Sequence, residues 1–149
     1  EQSGMAMTFN GLAQGWITDR ACEVLREAGA RHCLVNLGEF HALGGQPSGE
    51  DWVVGLRGLA GEEVSLRNRA LAVSSGSGLY FGTGAGKNHL IDPRSGSCAE
   101  DRRVVAVTAR EACLADALST ACAVVSDADA RELIAKWEDV ELAIHRAPA

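Results

Sequence analysis

Apolar positions along the chain fall into two rhythms. Ile17, Ala21, Val24, Leu25 and Ala28 recur at helical spacing, so residues 8–29 read as a turn feeding a helix that buries this stripe, with Gly29 as its left-handed cap. The stretch Glu111–Val125, EACLADALSTACAVV, has the same rhythm, and Thr108 with Glu111 three residues on reads as a capping box at its start. Ser126 and Asp127 open a last helix through about Lys136. Between the helices the runs are short. Cys33–Leu37 is nearly continuous and predicts a strand buried on both faces, closed by Gly38. Ala42–Asp51 reads as loop. Trp52–Leu56 and Glu63–Leu66 read as strands joined by a loop holding Gly58 and Gly61, followed by strands at Leu71–Ser74, Val104–Val107 and Val140–Ile144. Strands in runs with helices between only some of them predict an α+β domain with a mixed or antiparallel sheet and packed helices.

Composition narrows the classes of function. With 149 residues the chain is long enough for one domain with a real core. A net charge of −6 argues against nucleic acid as the main partner. No run approaches the ~18 apolar residues of a membrane span, and no signal peptide is evident. The opening Glu-Gln-Ser-Gly-Met-Ala-Met leads us to expect a chain begun inside a longer protein. Five cysteines, with no C-x-x-C pair, have no zinc-site spacing and suit small core positions.

Several stretches carry candidate chemistry. At roughly 100° per residue, Asp116 and Thr120 share one face of the second helix, near the small residues Ala109, Cys113 and Ala123. Two oxygen donors in a tight space suit a hard cation such as Mg²⁺, although an Asp and a Thr four apart are more often a solvated face or a hydrogen-bonded pair. Gly11 and Gly15 at a helix entrance indicate either close approach of backbone to a ligand or close packing of helices. The segment Ser75–Asn88 fails as a P-loop, since Phe81 stands where the first glycine belongs and Asn88 replaces Ser or Thr. It also fails as a dinucleotide fingerprint, because Lys87 occupies the third glycine position, and it reads as a flexible hairpin connection. His89–Gly96 reads as a short strand ending in a turn. His89 and Asp92 bracket it as a base and its orienting partner, although three residues apart on a strand they point to opposite faces.

Three segments considered together, Asn10–Asp19 (NGLAQGWITD), His89–Gly96 (HLIDPRSG) and Ala115–Thr120 (ADALST), resemble in order and spacing the signature blocks of the ApbE family, the FAD:protein FMN transferases. Leu34-Val35-Asn36-Leu37-Gly38 falls where that family has a matching segment. The resemblance covers essentially the whole chain and corresponds to the C-terminal half of the family's catalytic domain, so residues 1–149 are expected to be part of a single ApbE-like, T-fold-related domain.

The resemblance implies that FAD is the substrate and that FMN passes to a Thr or Ser hydroxyl of an acceptor, typically a flavoprotein subunit of a membrane respiratory complex, with release of AMP. It implies Mg²⁺ held by Asp116, Thr120 and the Gly11 carbonyl, with His89 as the base for the acceptor hydroxyl. Thr8, Gln14 and Ile91 fall at FAD-site positions. Thr8 stands where the family often has Asp, and Gln14 where it has Lys or Glu. The missing half is expected on a longer chain or a partner chain. Alternatives are a Mg²⁺-dependent FAD pyrophosphatase, which differs in accepting water, and a non-catalytic FAD-binding module. The family's location is the periplasm or cell envelope, with which five cysteines fit poorly.

Overall fold

The computed structural model describes residues 4, 6–56, 59, 61–81 and 87–147. Its elements run α1 (Asn10–Glu27), β1 (Cys33–Asn36), β2 (Phe40–Leu43), β3 (Trp52–Gly55), β4 (Glu63–Leu66), β5 (Ala70–Ser75), a 3₁₀ turn at Gly76–Gly78, β6 (Arg103–Ala109), α2 (Ala112–Ala123), α3 (Asp127–Ile134) and β7 (Glu141–Arg146). Five strands form one sheet in the order β1-β2-β5-β6-β7, antiparallel throughout, and β3 pairs with β4 in a separate hairpin. The α+β class follows as expected.

All of β6 is buried, which explains its unbroken apolar run. Its alternation divides the core in two. Val105 and Val107 pack with Ala115, Leu118 and Cys122 of α2 and Ile134 of α3. Val104 and Ala106 join the cluster of Val54 and Leu66 from the β3–β4 hairpin. Burial of each such valine contributes about 1.5–3 kcal/mol. The helices therefore sit on one face of the sheet and the hairpin on the other.

α1 ends as its sequence predicts, with Gly29 at φ +92° and its N–H bonded to Arg26 O. Its buried face is different from the predicted one. Gly15, Thr18, Asp19 and Cys22 are buried, whereas Ile17 is 50% exposed and Val24 64%. The reason is its neighbour: α1 lies so close to α2 that a Cβ on Gly15 would stand 2.3 Å from Ala112 O. Only small side chains fit that seam, so the branched residues turn outward. Of the two readings of Gly15, close helix packing is correct.

The capping box at Thr108 does not form. Thr108 lies inside β6, and Glu111 is the N-cap residue without a side-chain cap bond. Asp19 of α1 supplies the cap instead, accepting from Ala112 N at 2.8 Å and Cys113 N at 2.9 Å. By contrast, Ser126 caps α3 locally, accepting from Asp129 N at 3.1 Å.

Three strand readings change. β1 is an edge strand, half-buried over Cys33–Val35 and exposed at Asn36, because β2 pairs with only one of its sides. β2 itself was hidden, since the polar His41 interrupts its apolar run and Ala42 and Leu43 read as loop. His41 is buried in the strand because its Nδ1 bonds Asp19 Oδ1 at 2.7 Å. In the glycine-rich segment, Tyr80 bridges Asn88, and Phe81 N donates to Lys87 O at 2.7 Å, so the flanks close as a hairpin does. The tip of that connection, 82–86, lies outside the described residues. The strand predicted at His89 is reduced to one bridge, Ile91 to Cys98, and the following turn. Among the described residues no helix is long and apolar enough to cross a membrane.

Candidate functional site

The seam between α1 and α2 is tied by a second carboxylate running the other way. Asp116 of α2 accepts from Gly15 N at 3.0 Å. In a regular helix that N–H would serve Gly11 O, and Gly11 departs from helical geometry at ψ 16°. A Cβ on Gly11 would stand 2.9 Å from Thr120 Cγ2, so glycine is needed for Thr120 to sit against the α1 entrance. Gly11, Asp116 and Thr120, 109 positions apart at their extremes, thus converge at the seam.

These three line a cleft of about 840 Å³, together with Thr8, Gln14, His89 and Ile91. Every site residue singled out from the sequence therefore faces one cavity. Asn10, Ser74, Glu39 and Asp116 contribute polar lining to the cleft, and Leu90, Pro93, Ala121, Val124 and Val125 apolar lining. Ser74 Oγ bonds Ser119 Oγ at 2.8 Å and lies 3.5 Å from Thr120 Oγ1, which holds the threonine hydroxyl on the cleft side of α2.

Two buried carboxylates line the cleft, and both are raised. Asp116 is 6% exposed, and burial raises its carboxyl above the usual range, the single Gly15 N–H lowering it only in part. Glu39, which the sequence reading did not single out, is 8% exposed. Burial first, and the charge of Asp116 second, push its carboxyl up to about 7, against a smaller lowering by the Val73 N–H. A lone acid directly after Gly38, between Leu37 and Phe40, was the only sequence signal for it. The one Lys or Arg lining the cleft among the described residues is Arg94, and Asp92 binds its guanidinium through Nε and Nη2. No group of three or more His, Cys, Asp or Glu side chains able to hold a metal occurs among the described residues. Gly11 and Thr120 offer a carbonyl and a hydroxyl, donors outside that residue set.

His89 is exposed at the rim, with Nδ1 3.2 Å from Leu79 O. A carbonyl only accepts, so Nδ1 is the donor in this contact, and in the neutral ring that leaves the lone pair on Nε2. A Cβ on Gly78 would be 3.2 Å from the imidazole Cε1, a tight contact that glycine avoids. Asn88 anchors the backbone before it, donating to Ala99 O at 2.8 Å and to Asp101 Oδ1 at 3.0 Å. Asp92 does not pair with His89. Arg94 and Ser95 take it up, and the Arg94 hydrogen bonds lower its carboxyl to about 2.

The model of the ApbE family matches residues 1–144. The chain is similar to the FAD:protein FMN transferase of Klebsiella pneumoniae (strain 342), 32% identical over 64% of this chain and 31% of that protein. It is also similar to the FAD:protein FMN transferase of Treponema pallidum (strain Nichols), 28% identical over 94% of this chain and 43% of that one. Among solved structures, the ApbE protein of Thermotoga maritima superposes with a TM-score of 0.79 at 27% identity, over 97% of this chain and 52% of that chain. The chain thus spans between about a third and a half of the length of these relatives.

Proposed function

The chain belongs to the ApbE family, and on that premise we propose that the protein carrying it transfers FMN from FAD to a Thr or Ser hydroxyl of an acceptor flavoprotein, in a Mg²⁺-dependent reaction that releases AMP. The observation that carries this reading is the convergence of Thr8, Gly11, Gln14, His89, Ile91, Asp116 and Thr120 on one cleft.

The residues suit a hard cation. Asp116 is a buried carboxylate with one N–H partner, and the Thr120 hydroxyl stands beside it. The kink at Gly11 and the bond from Gly15 to Asp116 weaken the helix's claim on the Gly11 carbonyl. All three donors are oxygen, as Mg²⁺ prefers. When bound there, the ion neutralises charge on a diphosphate and polarises its phosphoryl oxygens.

The chain's own groups do the rest. The apolar lining from Leu90, Val124 and Val125 suits a flat ring system, and Thr8 and Gln14 offer polar contacts at the α1 entrance. His89 Nε2 takes the proton of the acceptor hydroxyl as its oxygen bonds to the phosphorus of the FMN half. The bond from that phosphorus to the bridging oxygen breaks, and AMP leaves with the electron pair. The respiratory-complex acceptor and the envelope location are part of the same proposal.

The test is to incubate the full-length protein with FAD, Mg²⁺ and an acceptor subunit, and to look for flavin that stays on the acceptor after denaturation. Labelled acceptor with stoichiometric AMP is the expected result. FMN and AMP without labelled acceptor would establish a pyrophosphatase instead, and FAD binding without turnover a binding module. His89→Ala is expected to cut transfer by roughly 100-fold or more while FAD affinity changes little; an equal loss of both would count against its role as base.

A further inference from the structure

Glu39 has no place in the reaction just described, and its surroundings call for one. It follows β1 at the turn into β2, lines the cleft and is nonetheless more than nine-tenths buried. Asp116 of α2, equally buried, lines the same cleft, and its charge acts on Glu39. Asp116 has one hydrogen bond, to Gly15 N, and the Val73 N–H is the one donor acting on Glu39. Arg94, the cleft-lining guanidinium, is spent on Asp92. Two buried like charges without a counter-charge cost several kcal/mol in a protein interior. Thr120 and Ser74 line the cleft with them, their hydroxyls 3.5 Å apart. Two carboxylates and two hydroxyls lining one cleft offer the oxygen donors that a divalent hard cation takes.

We propose that Glu39 is a second carboxylate of the cation site, alongside Asp116, so that the protein binds its divalent ion before any nucleotide arrives. One carboxylate with neutral donors is a weak site for an ion that keeps its water tightly; two raise the local charge to match the ion. The inference rests on the assignment of Asp116, Thr120 and Gly11 to the cation.

The probe is Mn²⁺, titrated into the full-length protein without nucleotide and followed by electron paramagnetic resonance. One bound ion is expected, with affinity reduced roughly tenfold or more in both Glu39→Gln and Asp116→Asn. Mg²⁺ should also raise the melting temperature of the wild type more than that of Glu39→Gln. Wild-type affinity in Glu39→Gln, alongside a loss in Asp116→Asn, overturns the role of Glu39 and leaves the transferase reading standing. Absence of Mn²⁺ binding without FAD, with binding restored by FAD, overturns binding ahead of the nucleotide. Absence of binding in both conditions overturns the cation assignment itself. Should Glu39→Gln not fold, a Mn²⁺-soaked crystal of the wild type decides: an anomalous peak within about 2.0–2.4 Å of both carboxylates supports the proposal, and a peak on Asp116 alone overturns it.

Discussion

Asp19 and Asp116 are the same residue type, similarly buried at 8% and 6% exposure, and both cross the seam between α1 and α2 to reach backbone N–H groups of the other helix. Their electrostatic states are opposite. Asp19 accepts from two N–H groups at the start of α2 and from His41. Burial pushes its carboxyl up, but the His41 bond and the two N–H bonds outweigh it, and the net shift is downward. Asp116 has one N–H, and burial wins. Burial alone therefore says nothing about whether a carboxylate builds the fold or serves a site. The count of partners does: a fully partnered acid is a fastener, and one left short of partners facing a cleft is available for a ligand.

Substitutions can break this contrast. Asp116→Ala is expected to reduce Mg²⁺-dependent turnover of the full-length protein by roughly 100-fold or more while leaving it folded, since only the Gly15 bond is lost. Steady-state AMP release with a circular dichroism spectrum checks both halves, and unchanged activity would sink the metal assignment. Asp19→Ala should do the reverse, costing about 3 kcal/mol in urea denaturation because two helix N–H groups and His41 lose their partner together. A cost below roughly 1 kcal/mol would show that the α2 N-terminus finds other partners.

The pH dependence sharpens the contrast further. A carboxyl raised on folding holds a proton that the unfolded chain has released, so Glu39 makes metal-free protein lose stability as pH climbs from 4.5 to about 7. The loss is about 3 kcal/mol at most. The Asp19 contribution has the opposite sign, present above 3.8 and lost as pH falls through its lower folded value. Melting temperatures in chelator-treated buffer should therefore decline between pH 4.5 and 7, and Glu39→Gln should flatten that decline. A wild-type profile already flat over this range would mean that Glu39 is solvated or paired.

What could be read in advance followed from how local each feature is. The pairing of Asp116 with Thr120 is set by helical spacing, and the Ser126 cap by three residues of sequence. The buried β6 strand was legible because both its faces meet apolar partners, so its own composition reports its surroundings. The α1 face was misread because its burial depends on a helix about a hundred residues away. The Gly15–Asp116 bond spans 101 positions and the Asp19 cap 93. Thr108 and Glu111 matched a local capping pattern, yet Thr108 was committed to the sheet. β2 escaped notice for the same reason, since a buried histidine makes sense only once Asp19 is beside it.

By itself the sequence determined the α+β class, the extents of α2, α3 and the β3–β4 hairpin, and the family whose signature blocks it carries. Those depend on periodicity and on residues near one another in the chain. Only the tertiary structure decided which face of α1 is buried, what caps α2, and that Glu39 joins Asp116 at the cleft. Each of these is set by packing and charge between segments that chain connectivity keeps far apart, and a local pattern carries no record of the partner across the seam.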